Sequence, residues 1–525
     1  RRLPVSEYVD KMKGGWVGQM VGVGWGAPTE FRWRGEIIPE DKVPQWKPGM
    51  VNQFAQDDIY VEMTFIRSLE EYGVDVSMRQ AGIDFANSGY PLWHANKEGR
   101  LLLRAGTAPP DSGHPEFNKH ADDIDYQIEA DFSGLISPGL PNEVIRLGEI
   151  FGRLMNYGDG LYGGQFVGCM YAEAFFEDDV QKLVAAGLQC IPEESRYAEA
   201  IRDVVKWHGE NPDDWQKTWQ LIEDKYNLDP DNRLFSCDKT LFNIDAKING
   251  AYIVLGLLYG EGDIEDTSVI SMRAGQDSDC NPSSAVGVLT TAMGLEAIPD
   301  EYKTALDEGT KFSHTAYDFA GLTQVSIDLV RAQVLRAGGR VEVDNSGEEI
   351  FVIPVRPVQP SALEQSWEPG PSAGSRFTEE EMARIDPPAE AEMILKEGTV
   401  NISKDMKTFA PGWGAKACGD KMDPGLHAEV DGRADVLITH PVNENEPAVL
   451  YREYKVPAGT RAVLHLEVGH HPDGDWQLEV HCGLGEMLSE NIGSALTKDG
   501  WVEFSLDLSE YAGQTTWLVL TNASN

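Results

Sequence analysis

Apolar residues recur at helical spacing through the first two thirds of the chain. In residues 5–24, Val9, Met12, Trp16 and Met20 lie three or four positions apart, which places them on one face of a helix. Similar spacing continues over residues 57–72, 141–154, 167–175, 179–188, 194–209, 212–226, 238–260, 282–294 and 300–336. No convincing alternating pattern precedes residue 340. The spacing predicts an all-α domain over residues 1–338.

The hydrophobic period changes in the last third. Residues 340–343 and 350–355 are typical of short strands, and the Pro-, Ser-, Gly- and Glu-rich residues 357–391 are typical of a linker or of a strap against the surface. From about residue 396, apolar and polar residues alternate between turns, as in residues 448–456, 462–468, 476–481, 501–506 and 516–521. Alternation predicts an antiparallel β-sandwich. We therefore predict short strands and a linker over 339–395 and a β-sandwich over 396–525.

Two of the predicted helices carry many small residues. Gly15, Gly18 and Gly22 share one face of the first helix, although so many glycines lower helix propensity. The helix predicted after Pro282 is also small-sided, through residues 283–294. Two backbones can approach closely where side chains are small. We predict that these two helices pack against each other.

Composition and charge narrow the class of protein. The 525 residues include 13 Trp and 41% hydrophobic residues, which is enough for a large core. Lys and Arg number 44 against 86 Asp and Glu, and a formal charge of -42 would repel both nucleic acid and an anionic membrane surface. No uninterrupted apolar run reaches 18 residues. We expect no nucleic-acid partner and no membrane span.

The chain begins Arg1-Arg2-Leu3-Pro4 without a Met, which fits removal of a signal peptide and equally fits a shortened chain. A secreted or periplasmic location is the expectation. The cysteines occur singly, without a CxxC pair, at Cys169, Cys190, Cys237, Cys280, Cys418 and Cys482. Because cysteine is among the most buried residue types, we predict mostly reduced thiols in apolar surroundings rather than disulfides.

Two acidic clusters far apart in sequence are the strongest candidates for chemistry. Gln56-Asp57-Asp58 opens one helix, and Asp277-Ser278-Asp279-Cys280-Asn281 precedes another, with Asn281 a candidate N-cap and Pro282 at the first helical position. Acids in a first turn often only complement the helix dipole, so two unrelated helix starts are one interpretation. If the four short Asp side chains converge, they need a hard divalent cation such as Mg²⁺, Mn²⁺ or Ca²⁺.

Other polar stretches are less specific. Residues 91–120 predict a long loop, either a binding or lid element or a covering surface loop. Residues 122–131 contain four Asp residues but lack the central Gly and the closing Glu of a calcium-binding loop, which excludes an EF-hand. His470 and His471 are typical of a solvated loop pair.

Three ordered motifs over about residues 8–310 resemble the ADP-ribosylglycohydrolase family. Gly14-Gly15 through Gly18 to Gly26-Ala27-Pro28-Thr29-Glu30 is similar to the family's opening helix and the acidic residue after it. Gln56-Asp57-Asp58 is similar to its Thr-Asp-Asp, and Gly275-Gln276-Asp277-Ser278-Asp279-Cys280-Asn281 resembles its Gly-Gly-Asp-Thr-Asp-Thr-Asn. The resemblance implies an all-helical domain with a dinuclear magnesium site.

The resemblance also implies roles for individual residues. The expected metal ligands are Gln56, Asp57, Asp58, Asp277, Asp279 and Cys280. They would hold two Mg²⁺ ions, with Mn²⁺ or Ca²⁺ as alternatives. Glu30 and Asp58 are the expected catalytic residues, since Glu30 or a metal-bound Asp would orient the attacking water. The expected substrate-binding residues are Asp131, Tyr157, Asp159 and Gly163.

This chain departs from the family pattern at three positions. Gln56 and Cys280 stand where the family has Thr, and Tyr157 stands where many relatives have His. An amide oxygen and a soft sulfur thus replace two hydroxyl groups. The carboxylates are retained, so metal binding and hydrolysis are expected, and the substitutions bear on the substrate.

The resulting hypothesis is a metal-dependent hydrolase that cleaves the anomeric bond of a ribosyl-like or other furanosyl glycoside. The β-sandwich resembles accessory modules of carbohydrate-active enzymes, although a purely structural module is an equal alternative. An ADP-ribosyl hydrolase is the first rival, and its diphosphate would need screening by metals or by residues such as Arg32, Arg34 or Arg100. A non-catalytic binding relative is the second. The substrate partner is a small molecule or saccharide, and the sequence leaves the oligomeric state open.

Overall fold

Helices occupy most of the chain up to residue 336 in the computed structural model, which describes residues 1–385, 399–400, 402–416, 418–443, 446–459, 461–472, 474–483 and 485–524. The chain forms two compact units, Arg1–Pro387 and Pro388–Asn525. The helices of the first unit are α1 (Val5–Gly26), α2 (Asp57–Tyr72), α3 (Met78–Ala86), α4 (His94–Arg104), α5 (Asp125–Ile128), α6 (Asp131–Leu135), α7 (Pro141–Phe151), α8 (Gly158–Ala174), α9 (Val180–Gln189), α10 (Arg196–Glu210), α11 (Trp215–Ile222), α12 (Ala246–Tyr259), α13 (Ile264–Arg273), α14 (Cys280–Met293), α15 (Asp300–Lys303), α16 (Phe319–Arg336) and α17 (Glu379–Met382).

Helices α1 and α14 pack in backbone contact at the centre of the first unit. A Cβ atom on Gly18 would lie 2.8 Å from the carbonyl oxygen of Val286. A Cβ atom on Gly22 would clash with the carbonyl group of Pro282 and would lie 2.5 Å from the backbone nitrogen of Ser283. Small residues are therefore required where the two backbones meet. The predicted pairing of the two small-sided helices is confirmed.

A small antiparallel sheet closes the first unit. Strand β1 (Arg2–Pro4) and strand β2 (Arg340–Val343) both pair with the central strand β3 (Glu349–Val352). The sequence predicted the two later strands, whereas β1 is too short to show an alternating pattern. The first unit is thus the predicted helical domain with one additional three-residue strand at its start.

Residues 353–385, here called the strap, run along the helices of the first unit. The hydroxyl of Tyr162 donates to the carbonyl of Ala362 at 2.7 Å, and the Asp111 carboxylate accepts from the backbone N–H of Ser375 at 2.7 Å. These hydrogen bonds attach the strap to the helical unit. The sequence predicted short strands and then a linker or a strap against the surface over residues 339–395, and in that range residues 386–395 lie outside the described residues.

The second unit is built from antiparallel sheets. Its described elements are helix α18 (Ser403–Phe409) and strands β4 (Gly414–Lys416), β5 (Gly425–Val430), β6 (Arg433–Ile438), β7 (Ala448–Lys455), β8 (Val463–Gly469), β9 (Trp476–Cys482), β10 (Gly485–Ile492), β11 (Trp501–Asp507) and β12 (Thr515–Ser524). One sheet has the order β10-β9-β12-β7-β4, and β11 pairs with β8. Buried Leu478 and Val480 of the first sheet pack against Leu464 and Phe504 of the second. This two-layer packing confirms the predicted fold class.

Cys169 and Cys190 form a disulfide that joins α8 to the end of α9. The prediction of reduced thiols is wrong for these two residues, because packing of the helices brings together two cysteines 21 positions apart. Among the described residues, Cys280, Cys418 and Cys482 are buried free thiols and Cys237 is a half-buried one. None of the described helices has both the length and the apolar content that a membrane crossing requires.

Candidate metal centre

The first pair of acids lies at the start of α2. The carbonyl of Gln56 accepts from the N–H groups of Ile59 and Tyr60 at 3.1 and 3.0 Å, so the backbone of Gln56 begins the helix while its side chain makes no capping bond. Asp57 is half-buried and Asp58 is fully buried. An acid that only complements a helix dipole can do so at the surface, and burying it would cost free energy without a gain. The burial of Asp58 therefore favours a binding role over the dipole interpretation.

The second pair lies at the start of α14. Asp279, rather than the predicted Asn281, occupies the N-cap position, and its side chain makes no capping hydrogen bond. The Asn281 amide instead donates to Asn249 at 2.9 Å, which ties α14 to α12. The N-cap prediction is wrong because the helix begins two residues earlier. As a result, the carboxylates of Asp277 and Asp279 remain available in the interior, each only 2% exposed.

Cys280 links the two pairs. Its thiol donates to the Asp58 carboxylate at 3.2 Å and lies 3.8 Å from an oxygen of Asp279. One ligand atom from each of Asp277, Asp279 and Cys280 lies within 4.8 Å of the others. Acids 219 positions or more apart in the sequence thus meet at one point. We call this group of Asp57, Asp58, Asp277, Asp279 and Cys280 the carboxylate centre.

The carboxylates of this centre repel one another. Burial and the charges of Asp57 and Asp279 raise the pKa of Asp58 well above its usual range. Burial, followed by the charge of Asp279, raises the pKa of Asp57 to about 6 and acts in the same direction on the pKa of Asp277. Burial also raises the pKa of Asp279. A bound cation would relieve this repulsion and restore the ionised forms.

Two buried oxygens provide a separate test of whether a cation fits. Among the described residues, Oδ1 of Asp58 and Oδ1 of Asp277 have no hydrogen-bond partner, although both atoms are inaccessible to solvent. A buried carboxylate oxygen without a partner is costly. Hard oxygen donors suit Mg²⁺, Mn²⁺ or Ca²⁺. The residues therefore fit an oxygen-ligated divalent cation.

Gln276 holds the loops around the centre. This residue adopts φ +55°, and its carbonyl accepts from the N–H of Phe31 at 2.9 Å. Its side-chain oxygen accepts from the N–H of Asn243 at 2.9 Å, and its amide donates to Leu241 at 2.8 Å. Nearby, the hydroxyls of Thr29 and Ser278 are 2.7 Å apart. The loop after α1 and the segment before α12 are thus both fixed to the loop that carries Asp277.

Glu30 lies at the rim of the carboxylate centre. The residue is exposed as a whole, but its carboxyl group is shielded from part of the solvent. This burial and the charges of Asp279 and Asp57 raise its pKa to about 8. A carboxyl group beside the ligands and open to solvent is suited to contact a substrate and a water molecule.

A second layer of acids lies behind the centre. The Gln19 amide donates to Glu62 at 2.7 Å, and the other oxygen of Glu62 accepts from the N–H of Phe132 at 2.9 Å. Tyr171 donates to Asp131 at 2.7 Å. Burial raises the pKa of Asp131 to about 7, and the charge of Asp131 in turn raises the pKa of Asp58. Asp131 is therefore electrostatically linked to the centre but is itself fully buried.

The other predicted substrate-binding residues lie in the interior of the first unit. Tyr157 accepts from the strap at Gly370 N–H, 3.2 Å away, and Asp159 accepts from the N–H of Tyr197 at 3.0 Å. Gly163 is in α8, where a side chain would meet Gln127. These contacts involve the strap and neighbouring helices. A direct role of the three residues in substrate binding stays a prediction.

The sequence analysis assigned no role to the aromatic residues at the rim and considered Arg34 only for screening a diphosphate. The rings of Phe31 and Phe242 are 5.2 Å apart, and His94 stacks on Phe242 at 5.7 Å. The Arg34 guanidinium lies 5.0 Å from the centre of the Phe242 ring. His94 begins α4, a helix within the stretch predicted as a long loop. In the sequence, this surface was signalled by Arg34 and by the position of Phe31 directly after Glu30.

Comparison with known proteins places the helical unit in one family. The sequence profile of the ADP-ribosylglycohydrolase family matches residues 4–329, more than half of the chain. A solved structure described as an ADP-ribosylglycohydrolase-related protein complex is similar at 13% identity and a TM-score of 0.39, covering 62% of this chain and 99% of its own. No functionally curated protein matches the sequence. The profile match establishes that this chain belongs to the ADP-ribosylglycohydrolase family.

Proposed function

We propose that this protein is a metal-dependent hydrolase that cleaves the anomeric bond of a ribosyl-like or other furanosyl glycoside. The observation that carries the proposal is the carboxylate centre, where acids from two helix starts meet and leave two buried oxygens without partners among the described residues. The family is generally hydrolytic, and this chain retains the acids at its ligand positions. Loss of catalysis would have removed the reason to bury mutually repelling carboxylates.

Asp57, Asp58, Asp277 and Asp279 would hold the cations, and we propose two Mg²⁺ ions. Bound there, the cations would supply positive charge to orient ring hydroxyls and water. Cys280 holds Asp58 in place through the 3.2 Å hydrogen bond, and we propose that its sulfur adds a soft ligand when a cation is bound, as the sequence predicts. The Gln56 side chain makes no capping bond, and we propose that its amide oxygen adds a further contact to a cation at the same helix start.

Glu30 would act on the water at the rim. Its carboxylate would accept a proton from the attacking water as that water adds to the anomeric carbon. With a pKa of about 8, the group holds its proton at neutral pH unless positive charge is present nearby. Cation binding would thus prepare Glu30 as a base. The neighbouring carboxylates would also favour an oxocarbenium-like transition state.

The acidic surroundings favour an uncharged sugar over a diphosphate. Asp123 and Asp125 lie beside His94 near the rim, and the whole chain carries a formal charge of -42. Of the arginines considered for screening, Arg100 is buried and donates to the carbonyls of Ser88 and Tyr90. Arg100 is therefore engaged in the interior, which leaves the exposed Arg32 and Arg34 to contact a diphosphate.

One observation favours the ADP-ribosyl conjugate as the second candidate. Arg34 is exposed and lies over the Phe242 ring beside the rim, where a guanidinium can contact a phosphate. Arg34→Ala therefore separates the two substrates. It should reduce hydrolysis of an ADP-ribosylated peptide at least about tenfold and leave hydrolysis of an uncharged glycoside unchanged.

The test is hydrolysis of nitrophenyl furanosides and pyranosides beside an ADP-ribosylated peptide, with and without Mg²⁺, Mn²⁺ or Ca²⁺, in the wild type and in Asp279→Ala. Metal-dependent cleavage of a glycoside that is lost in the variant is the expected result. Cleavage of the peptide alone would replace the proposal with the second candidate. Absence of any metal-dependent turnover would favour a non-catalytic binding relative.

We also propose that the protein works in an oxidising compartment, outside the cell or in the periplasm. The Cys169–Cys190 disulfide supports this, because such bonds persist mainly in those environments. Alkylation of the protein directly in its native cells, followed by mass spectrometry, should leave both cysteines unmodified. Alkylation of both would contradict the proposal.

A further inference from the structure

A second cluster of metal-binding side chains adjoins the carboxylate centre. His94 begins α4, His120 and Asp123 lie in the segment between α4 and α5, and Cys237 lies in the segment before α12. One ligand atom from each of the four lies within 4.8 Å of the others. We call this group the His–Cys cluster. Three separate stretches of chain meet there.

The side chains of the His–Cys cluster lie close together without satisfying one another. His120 Nδ1 is 2.6 Å from Asp123 Oδ2, and His94 Nδ1 is 3.4 Å from the same oxygen. Among the described residues, Oδ1 of Asp123 and Nδ1 of His94 have no hydrogen-bond partner although both atoms are buried. The Asp123 side chain is only 1% exposed. Both atoms are buried ligand atoms without a partner in the described part of the chain, and a bound metal ion would satisfy them.

The backbone fixes the segments that carry these ligands. The N–H groups of Ala95 and Asn96 donate to the Asp125 carboxylate at 3.2 and 2.9 Å, which anchors the start of α4. The N–H of Ile124 donates to the carbonyl of Ile244 at 3.0 Å, which joins the Asp123 segment to the segment before α12. Preorganised ligands of this kind bind an ion at a lower entropic cost.

The donor set identifies the class of ion. Two imidazoles, a thiolate and a carboxylate suit Zn²⁺, whereas Mg²⁺ and Ca²⁺ prefer oxygen alone. Ligand bonds of about 2.0–2.3 Å place tetrahedral ligands roughly 3.3–3.8 Å apart. The four ligand atoms already lie within 4.8 Å of one another, so small shifts would reach that spacing, with His120 Nδ1 and Asp123 Oδ2 moving apart from 2.6 Å. Four protein ligands leave no open position, which is typical of structural zinc.

We propose that His94, His120, Asp123 and Cys237 bind one Zn²⁺ ion, in addition to the cations of the carboxylate centre. Binding would convert the Cys237 thiol to a thiolate and release its proton to solvent. The ion would fasten the segment before α12 to α4. That segment carries Phe242 and Asn243, so zinc would set the shape of the rim. This inference does not depend on the proposed substrate.

The experiment uses the full chain, stripped with a chelator and dialysed into excess Mg²⁺ so that hard-ion positions are filled. Zinc is titrated against a chromophoric chelator, bound metal is counted by mass spectrometry, and Co²⁺ replaces zinc for absorption spectra. Cys237→Ser tests the cluster, and Asp279→Ala tests the carboxylate centre. Circular dichroism melts establish that each variant folds.

The wild type should bind one Zn²⁺ with submicromolar affinity, and its Co²⁺ form should show a thiolate charge-transfer band in the near ultraviolet. Cys237→Ser should lower the zinc affinity at least about 100-fold and remove the band. Asp279→Ala should retain the zinc affinity and the charge-transfer band of the wild type. Equal zinc affinity in Cys237→Ser and wild type, or loss of zinc binding in Asp279→Ala, would overturn the proposal.

A labelling measurement keeps the test valid if Cys237→Ser fails to fold. Iodoacetamide should modify Cys237 of the stripped wild type at least ten times faster than that of the zinc-loaded protein, because a metal-bound thiolate is protected. Buried Cys418 and Cys482 provide internal references. Equal labelling rates with and without zinc would show that His94, His120 and Asp123 form only a hydrogen-bonded group.

Discussion

The carboxylate centre and the His–Cys cluster are neighbours with opposite chemistry. The first presents Asp oxygens from two helix starts, whereas the second presents two imidazoles, a carboxylate and a thiol. Burial and like charges raise the pKa values of Glu30 and Asp57, and the charge of His94 partly opposes both increases, so the two groups affect each other. Hard oxygen donors and mixed nitrogen and sulfur donors select different ions. Under the two proposals, adjoining parts of one unit would bind two classes of ion side by side.

The two groups also depend on different parts of the fold. The carboxylate centre is positioned by helix packing, since the α1–α14 contact sets where Asp277 and Asp279 lie. The His–Cys cluster is positioned by connecting segments that hydrogen bonds hold together. Perturbing helix packing should therefore damage the first group and spare the second. The experiments below test that separation.

The largest effect is expected from Asp277→Asn. The change removes a negative charge from the carboxylate centre and should lower kcat/KM by at least about 1,000-fold, because a ligand of the proposed cations is lost. Since burial, followed by the charge of Asp279, raises the pKa of Asp277, the metal-free variant should melt at a higher temperature than metal-free wild type. Zinc binding at the His–Cys cluster should persist. A kcat/KM within tenfold of the wild-type value would show that Asp277 is not a required ligand of the carboxylate centre.

The pH dependence of protein stability tests Asp131, which lies in the interior behind the carboxylate centre. The pKa of Asp131 is about 7 in the folded protein. Between its unfolded pKa of about 3.9 and pH 7, the folded state holds a proton that the unfolded state has lost, so stability falls as pH rises. The full difference is on the order of 4 kcal/mol. Asp131→Asn should flatten this decline in chemical denaturation of the metal-free protein.

Asp318 provides the matched control for that measurement. Its carboxylate caps α16 by accepting from the N–H of Gly321 at 2.8 Å, and this bond lowers its pKa. A lowered folded pKa gives stability that is present above the unfolded pKa and is lost as pH falls through the folded pKa. Asp318→Asn should thus change the free energy of unfolding by removing a contribution that varies with pH only in the acidic range, below the unfolded pKa of Asp. An unchanged slope between pH 4 and 7 in Asp131→Asn would refute the assignment.

Gly22→Ala should separate the two groups by a smaller stability effect. The added methyl group would meet the backbone of Pro282 and Ser283 directly after the metal ligands, and should destabilise the fold by about 1–3 kcal/mol. Magnesium affinity should fall while zinc affinity stays constant. Gly209→Ala is the control, because Gly209 lies in α10 with open space around it and should gain about 0.5–1 kcal/mol. An equal fall in magnesium and zinc affinity would show that the carboxylate centre and the His–Cys cluster depend on the same helix packing.

The smallest effect is expected from Cys280→Ser, which brings the carboxylate centre closer to oxygen-only ligation. The hydroxyl can keep the hydrogen bond to Asp58, so the fold should be retained. Magnesium affinity should rise about three- to tenfold, and binding of thiophilic Cd²⁺ should weaken. Competition calorimetry measures both. A variant that still prefers Cd²⁺ would show that the sulfur is not a ligand.

Short-range patterns explain which parts of the molecule could be predicted. The small faces of α1 and α14 and the paired acids at two helix starts are contiguous in the sequence, and helical periodicity translates them directly into surfaces. The change to period two likewise marks the second unit. Even so, the predicted N-cap of α14 is wrong, because Asp279 rather than Asn281 directly precedes the helix.

Long-range partners explain what was missed. His94 and Cys237 are more than 140 positions apart and no spacing rule connects them, so only the folded chain brings them together. The same holds for Cys169 and Cys190, whose pairing cannot be deduced from a list of cysteines. Buried Asp131 could be singled out as polar, but its distance from solvent is a tertiary property.

The strap decides where this protein can be divided. A fragment that stopped at residue 338 would leave the Asp111 carboxylate and the Tyr162 hydroxyl without the backbone groups they bind at Ser375 and Ala362. It would also expose the apolar core surface that Phe377 of the strap packs against. For expression of the helical part by itself, the gene should therefore be cut after residue 385. The shorter fragment is expected to be insoluble.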